Sequence, residues 1–194
     1  MTPDDVLAEF EKAGALLKGH FILSSGRHSD MFLQKALVFQ YPQRTAKLCK
    51  ALAQKIRTKV RKRVDAIVSP AVGGIIPGYE TARQLKLPAM FVERQEGVFQ
   101  LRRNFHLDKS MNVIIVEDVV STGLSSRECI EAVRKTGANV VALACLIDRS
   151  GGEAKFDVPF VPLARLKVPS WEADKLPKHL KGIPAVKPGS RGLA

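Results

Sequence analysis

The chain has 194 residues, 45% hydrophobic and 26% charged. These are ordinary proportions for one globular domain with a real core, and they exclude disordered, collagenous and disulfide-stapled classes. Lys and Arg outnumber Asp and Glu by 31 to 19, a net charge of +12 that favours anionic partners.

No apolar run nears the roughly 20 residues of a bilayer span, and Met1, Thr2, Pro3, Asp4 and Asp5 lack a basic-then-apolar leader pattern. Pro3, Asp4 and Asp5 open a helix whose apolar face is Val6, Leu7, Phe10, Ala13 and Leu17; Gly14 weakens it and Gly19 ends it. Residues 19–33 form two short strands around the polar Ser24, Ser25, Gly26 and Arg27, which predicts a hairpin outside the main sheet. Tyr41 and Pro42 start a helix through about residue 58, with Leu48, Ala51, Leu52 and Ile56 on one face. The basic run at its end (Lys55, Arg57, Lys59, Arg61, Lys62, Arg63) has no interleaved aromatics, so it reads as a solvated helix end rather than a polyanion patch.

The first strand of the sheet proper covers residues 64–68 and empties into Ser69, Pro70, Ala71, Val72, Gly73 and Gly74 before a helix to about residue 85. A strand at 89–92 precedes residues 93–110, which carry Arg94, Arg102, Arg103, Asn104 and His106 with little apolar periodicity. A loop this long in a compact domain is uncommon unless it is functional or mobile.

The most informative stretch comes next. Val113, Ile114, Ile115 and Val116 read as a strand buried on both faces. Glu117, Asp118, Val119 and Val120 follow, then Ser121, Thr122 and Gly123 open a helix through Leu124, Ser125 and Ser126 to about residue 136. A strand emptying into a hydroxyl- and glycine-bearing turn at a helix N-terminus suits a phosphate. The two carboxylates would repel that phosphate, so they suit sugar hydroxyls or a metal ion instead. A strand at 139–147 ends beside Asp148, Arg149, Ser150, Gly151 and Gly152, at the edge where open α/β sheets gather their sites. Prolines then multiply; one more strand covers 160–166 and a short helix 170–180, with Trp171 as a packing anchor and the last ten residues frayed. Cys49, Cys129 and Cys145 lie far apart in apolar segments, which points to reduced thiols in a cytoplasmic protein.

Residues 113–125 resemble the phosphoribosyl pyrophosphate (PRPP) motif of the type I phosphoribosyltransferases: an aliphatic run, two acids, two aliphatics and a Ser/Thr-small-Gly turn. The hairpin resembles that of the orotate phosphoribosyltransferases, Phe-x-Leu-x-Ser-Gly-x-x-Ser, through Phe21, Leu23, Ser25, Gly26 and Ser29. The resemblance covers about residues 4–165. It departs at Ser24, Val72-Gly73 and Gln95, where many orotate enzymes carry Lys, Tyr-Lys and Lys, and no loop Lys or His stands in register at Val98 and Gln100.

The resemblance implies an α/β fold: a parallel sheet flanked by helices, with a small N-terminal hood. It implies a single domain over 1–194, with the hood at 1–40 plus about 153–185 and the core at about 41–152. The implied reaction is orotate plus PRPP giving orotidine 5′-monophosphate and pyrophosphate, in cytoplasmic pyrimidine synthesis, with Mg²⁺ held mainly by PRPP. Glu117 and Asp118 would hold the ribose, Val119, Val120, Ser121, Thr122, Gly123, Leu124 and Ser125 the phosphoribosyl end, and Gly73 and Gly74 the pyrophosphate through backbone amides. Arg94 would bind PRPP, and Arg102 and Arg103 would replace the absent loop cations during catalysis, unless they form only a solvated loop face. Ser24, Phe32, Ser121 and Arg149 would meet orotate, unless Arg149 is only a surface partner of Asp148. A homodimer is implied, with 93–110 reaching the partner's site; neither nucleic acid nor membrane is expected as a partner. Two other readings stay open: transfer to another base, and a regulator of the same fold that binds nucleic acid, although no helix-turn-helix pattern supports it.

Overall fold

The computed structural model describes residues 1–23 and 25–188; the orotate contact expected of Ser24 and the fraying expected at 189–194 lie outside them. In chain order, α1 (Pro3–Lys12) leads into a hairpin of β1 (Leu16–Ile22) and β2 (His28–Leu33), then α2 (Ala36–Phe39) and α3 (Pro42–Lys59). The sheet follows as β3 (Ala66–Pro70), α4 (Ile75–Leu85), β4 (Ala89–Gln95), β5 (Val98–Leu101), β6 (Asn112–Val120), α5 (Leu124–Arg134), β7 (Asn139–Asp148) and β8 (Phe160–Arg165).

Period-two alternation fills both faces of the main sheet. Ile67, Ile114, Val116, Ala142 and Ala144 pack with Val6 and Phe10 of α1 and Leu48, Leu52 and Ile56 of α3. Ala66, Val68, Val113, Ile115, Leu143 and Cys145 pack on the other face with Cys129, Ile130 and Val133 of α5. The strand order is β5-β4-β3-β6-β7-β8, parallel except for β5, which runs antiparallel to β4 at one edge. The hairpin β1–β2 forms a separate two-stranded sheet. This is the α/β class with hood that the resemblance implied.

Several boundaries differ from expectation. The first helix stops at Lys12 because Gly14, at φ +65°, takes the left-handed conformation that closes helices; Leu17 therefore lies in β1, opposite Phe32. Residues 93–110 are not all loop. Glu96 and Gly97, both at positive φ, make a two-residue hairpin turn that lays Phe99 against Arg94. Residues 160–165, grouped above with the hood, form the far edge of the main sheet, because Val161, Leu163 and Ala164 need an apolar face to bury against. In place of a helix at 170–180 there are two short 3₁₀ turns, Ala173–Lys175 and Lys178–Leu180, separated by Pro177.

Fraying does not begin at 185. The Val186 N–H donates to the His20 carbonyl and the Ile22 N–H to the Val186 carbonyl, each at 2.8 Å. Trp171 anchors the same segment by exchanging backbone bonds of 2.8 Å with His28, and buried Ser29 donates through Oγ to the Pro169 carbonyl at 2.8 Å. The three cysteines are buried and unpaired. Among the described residues, no helix is long and apolar enough to cross a membrane.

Candidate active site

The site grows from the C-terminal end of β6, where pairing with β7 continues past the acids: Glu117 lies opposite Cys145 and Val119 opposite Ile147. The strand thus reaches further than the aliphatic run alone suggests, and it fixes both carboxylates in the sheet. Glu117 is 6% and Asp118 1% exposed. Burial first, and the adjacent Asp118 charge second, raise the Glu117 carboxyl from its ordinary 4.5 to about 8.

Two glycine-bearing turns flank the acids, each at the start of a helix without a side-chain cap. Gly123, at φ +76°, is the N-cap of α5, and a Cβ there would meet the Phe156 ring at 2.8 Å. Gly74 is the N-cap of α4. Beside it, a Cβ on Gly73 would stand 2.2 Å from Asp118 Oδ2, so only glycine lets this loop close over the acid. Uncapped N–H groups and the positive helix end make both turns suited to anions.

The acids and turns open into a cleft of about 530 Å³. Gly73, Arg94 and residues 117–125 line it, joined by Lys35, Phe99 and Ser126. Sequence reasoning missed Lys35, whose ammonium lies 2.8 Å from Asp118 Oδ1 and 2.6 Å from Oδ2. The signal available was weak: a lone cation in the apolar stretch Met31, Phe32, Leu33, Gln34, Lys35, Ala36, Leu37.

Arg94 lines the cleft but is engaged elsewhere, and the other expected residues lie outside the lining. The Arg94 guanidinium lies 4.1 Å above the Phe99 ring and pairs with Glu128 of α5. Arg102 and Arg103 pair with Glu93, at 3.4 and 2.8 Å, outside the cleft lining; the Arg103 contact holds Glu93 below the usual carboxylate range. Phe32 packs in the hood with its ring 5.8 Å from that of Phe21, outside the cleft lining. Arg149 is half-buried, and desolvation lowers its guanidinium. Asp148 does not take it: that carboxylate meets Arg165 at 3.2 Å and accepts from Ser150 Oγ at 2.6 Å. Among the described residues no carboxylate pairs with Arg149.

A parallel sheet whose central strand carries buried paired acids between two turns suited to anions defines a class of α/β protein whose site fits a sugar bearing phosphates at both ends. A family model described as a phosphoribosyl transferase domain matches residues 39–171. An orotate phosphoribosyltransferase of Parvibaculum lavamentivorans is 68% identical over 194 residues, covering all of both chains. One from Caulobacter vibrioides is 60% identical over 193 residues, covering 100% of this chain and 99% of its own. The crystal structure of orotate phosphoribosyltransferase from Aeropyrum pernix superposes with a TM-score of 0.73 at 26% identity, over 84% of this chain and 94% of that one. The chain belongs to the phosphoribosyltransferase family, in its orotate phosphoribosyltransferase branch.

Proposed function

We propose that the chain transfers the 5-phosphoribosyl group of PRPP to orotate, releasing pyrophosphate and forming orotidine 5′-monophosphate in cytoplasmic pyrimidine synthesis. One observation carries the reading: the buried Glu117–Asp118 pair lies between the uncapped N-termini of α4 and α5. A ribose with a phosphate on one side and a pyrophosphate on the other fits that order of groups. The turn at 121–125 takes the 5′-phosphate and the loop of Gly73 and Gly74 takes the pyrophosphate. Glu117 and Asp118 hold the ribose hydroxyls while C1 becomes cationic. The Asp118 charge stabilises the transition state more than the ground state, while Glu117, protonated below about 8, acts through its hydrogen bond.

Arg149, with no carboxylate partner among the described residues, is the group suited to the orotate carboxylate through its planar fork; Ser121 and Phe32 complete the base side. Arg94 contacts PRPP. Arg102 and Arg103 leave Glu93 to cover the departing pyrophosphate and exclude water. Among the described residues no cluster of three or more ligating side chains forms a metal cage, whereas two carboxylates beside a phosphate-binding cleft fit Mg²⁺, which keeps waters and substrate oxygens as ligands. PRPP would hold most of the Mg²⁺ coordination, with Glu117 and Asp118 as the nearby protein carboxyl groups, and the ion would supply charge neutralisation for the pyrophosphate. The whole chain acts as one domain. Exposed Val72 in the loop before α4, with exposed Ile76 and Tyr79 on α4, supports a homodimer in which residues 93–110 serve the neighbouring site.

The experiment is the absorbance change of orotate with protein, PRPP and Mg²⁺, repeated with Asp118→Asn. Loss of orotate signal should need all three components and fall at least about a hundredfold in the variant. A chain that binds PRPP but leaves orotate untouched would transfer to another base or regulate instead.

A further inference from the structure

The two anion turns are unequally furnished with cations. Beside the turn at 121–123 stands Arg127, donating to the Thr122 carbonyl at 3.0 Å. The loop of residues 70–74 holds no cationic side chain of its own, and its Gly73 can carry none without striking Asp118. Among the described residues that line the cleft, only Lys35 and Arg94 are positive, and Arg94 is engaged by Glu128. Lys35 reaches in from the connection between β2 and α2. Its ammonium lies 3.3 Å from where a Gly73 Cβ would stand, while still touching Asp118.

The partners differ in freedom. Asp118 is 1% exposed and fixed in β6; the Lys35 side chain is 40% exposed on a flexible stem. A sugar whose hydroxyls donate to Asp118 competes directly with the ammonium. The anion nearest to a displaced ammonium is then whatever occupies the loop at 70–74. We propose that Lys35 is a substrate-binding residue with two stations: Asp118 before substrate binds, and the pyrophosphate of PRPP once the ribose hydroxyls have taken Asp118. The hood connection thereby supplies a cation to a glycine loop that has none. This rests on the PRPP reading above.

The test is calorimetric binding of three probes without orotate (PRPP, inorganic pyrophosphate and ribose 5-phosphate) to wild type, Lys35→Met, Lys35→Gln and Lys35→Arg. Loss of one charge-assisted contact should weaken PRPP and pyrophosphate about tenfold or more in Lys35→Met. Ribose 5-phosphate, which lacks the pyrophosphate, should stay within about threefold, and Lys35→Arg should keep most of the affinity. Lys35→Gln retains a donor for Asp118 but no charge, so it repeats the test if the methionine variant does not fold. Unchanged pyrophosphate affinity in the neutral variants overturns the proposal. So does an equal loss of ribose 5-phosphate, which would mean that Lys35 only orders Asp118. A wild-type chain that binds PRPP and pyrophosphate but does not convert orotate overturns the orotate assignment alone; one that binds neither overturns both.

Discussion

At the scale of single residues, Gly73 and Glu117 make opposite demands on the same few ångströms. A methyl group at Gly73 would sit 2.2 Å from Asp118 Oδ2, and the carboxylate, 1% exposed and tied to Lys35, has little room to retreat. Gly73→Ala should therefore lower kcat/KM at least about tenfold, with the loss concentrated in PRPP, at small cost to thermal stability; steady-state kinetics beside a melting curve would check this. Glu117 couples the site to pH. Its carboxyl is raised from 4.5 to about 8 by burial and by Asp118, so between those values the native state holds a proton that the unfolded chain has lost. The contribution of Glu117 to stability is thus fully present below about 4.5 and is lost as pH rises through about 8. Glu117→Gln cannot ionise. Its Tm should exceed that of wild type by a few degrees near pH 8 and converge with it near pH 5, a shift on the order of 1 kcal/mol. A gap of equal size at both pH values would remove Glu117 as the cause. Glu117, Asp118 and Gly123 were legible in the sequence because their meaning is local, a strand end and the turn after it. Lys35 was not, since its partner lies 83 residues further on and nothing beside it in the chain marks it as more than a surface lysine.

Among the elements, the hairpin β4–β5 departs most from its reading. A four-residue strand, Val98–Leu101, is too short for alternation to stand out beside arginines, and its turn residues, Glu96 and Gly97, form only a weak signal. The main-sheet strands were legible because burial on both faces demands near-continuous apolar runs, as in Val113, Ile114, Ile115 and Val116. The C-terminal 3₁₀ turns were not, since they depend on docking against the hood through Trp171 and Val186 rather than on their own periodicity. The hairpin also yields a prediction. Arg102 and Arg103 rest on Glu93 at the surface, and exposed ion pairs of this kind contribute little to folding. Replacing both by Ala should leave Tm within about two degrees of wild type while lowering kcat at least about tenfold, if they leave Glu93 for the pyrophosphate. Unchanged turnover, measured with saturating PRPP, would confine them to the loop surface.

For the whole molecule the open quantity is charge. An excess of 31 basic over 19 acidic residues exceeds anything the cleft uses directly, since the described cleft lining contains one lysine and one arginine. The remainder, including the run from Lys55 to Arg63, is expected to act at a distance, as a field that raises the local concentration of anions and speeds their encounter. Such a field ranks ligands by charge. PRPP, with a phosphate and a pyrophosphate, should feel it far more than orotate, with a single carboxylate. Raising salt from about 10 mM to about 100 mM shortens the screening length from roughly 30 Å to roughly 10 Å. Over that range kcat/KM for PRPP should fall several-fold, while that for orotate changes less than about twofold. Parallel declines for both substrates would mean that the surface charge does not steer PRPP. A steep salt-dependent affinity for DNA or RNA, strong enough to displace PRPP, would instead assign the basic surface to nucleic acid.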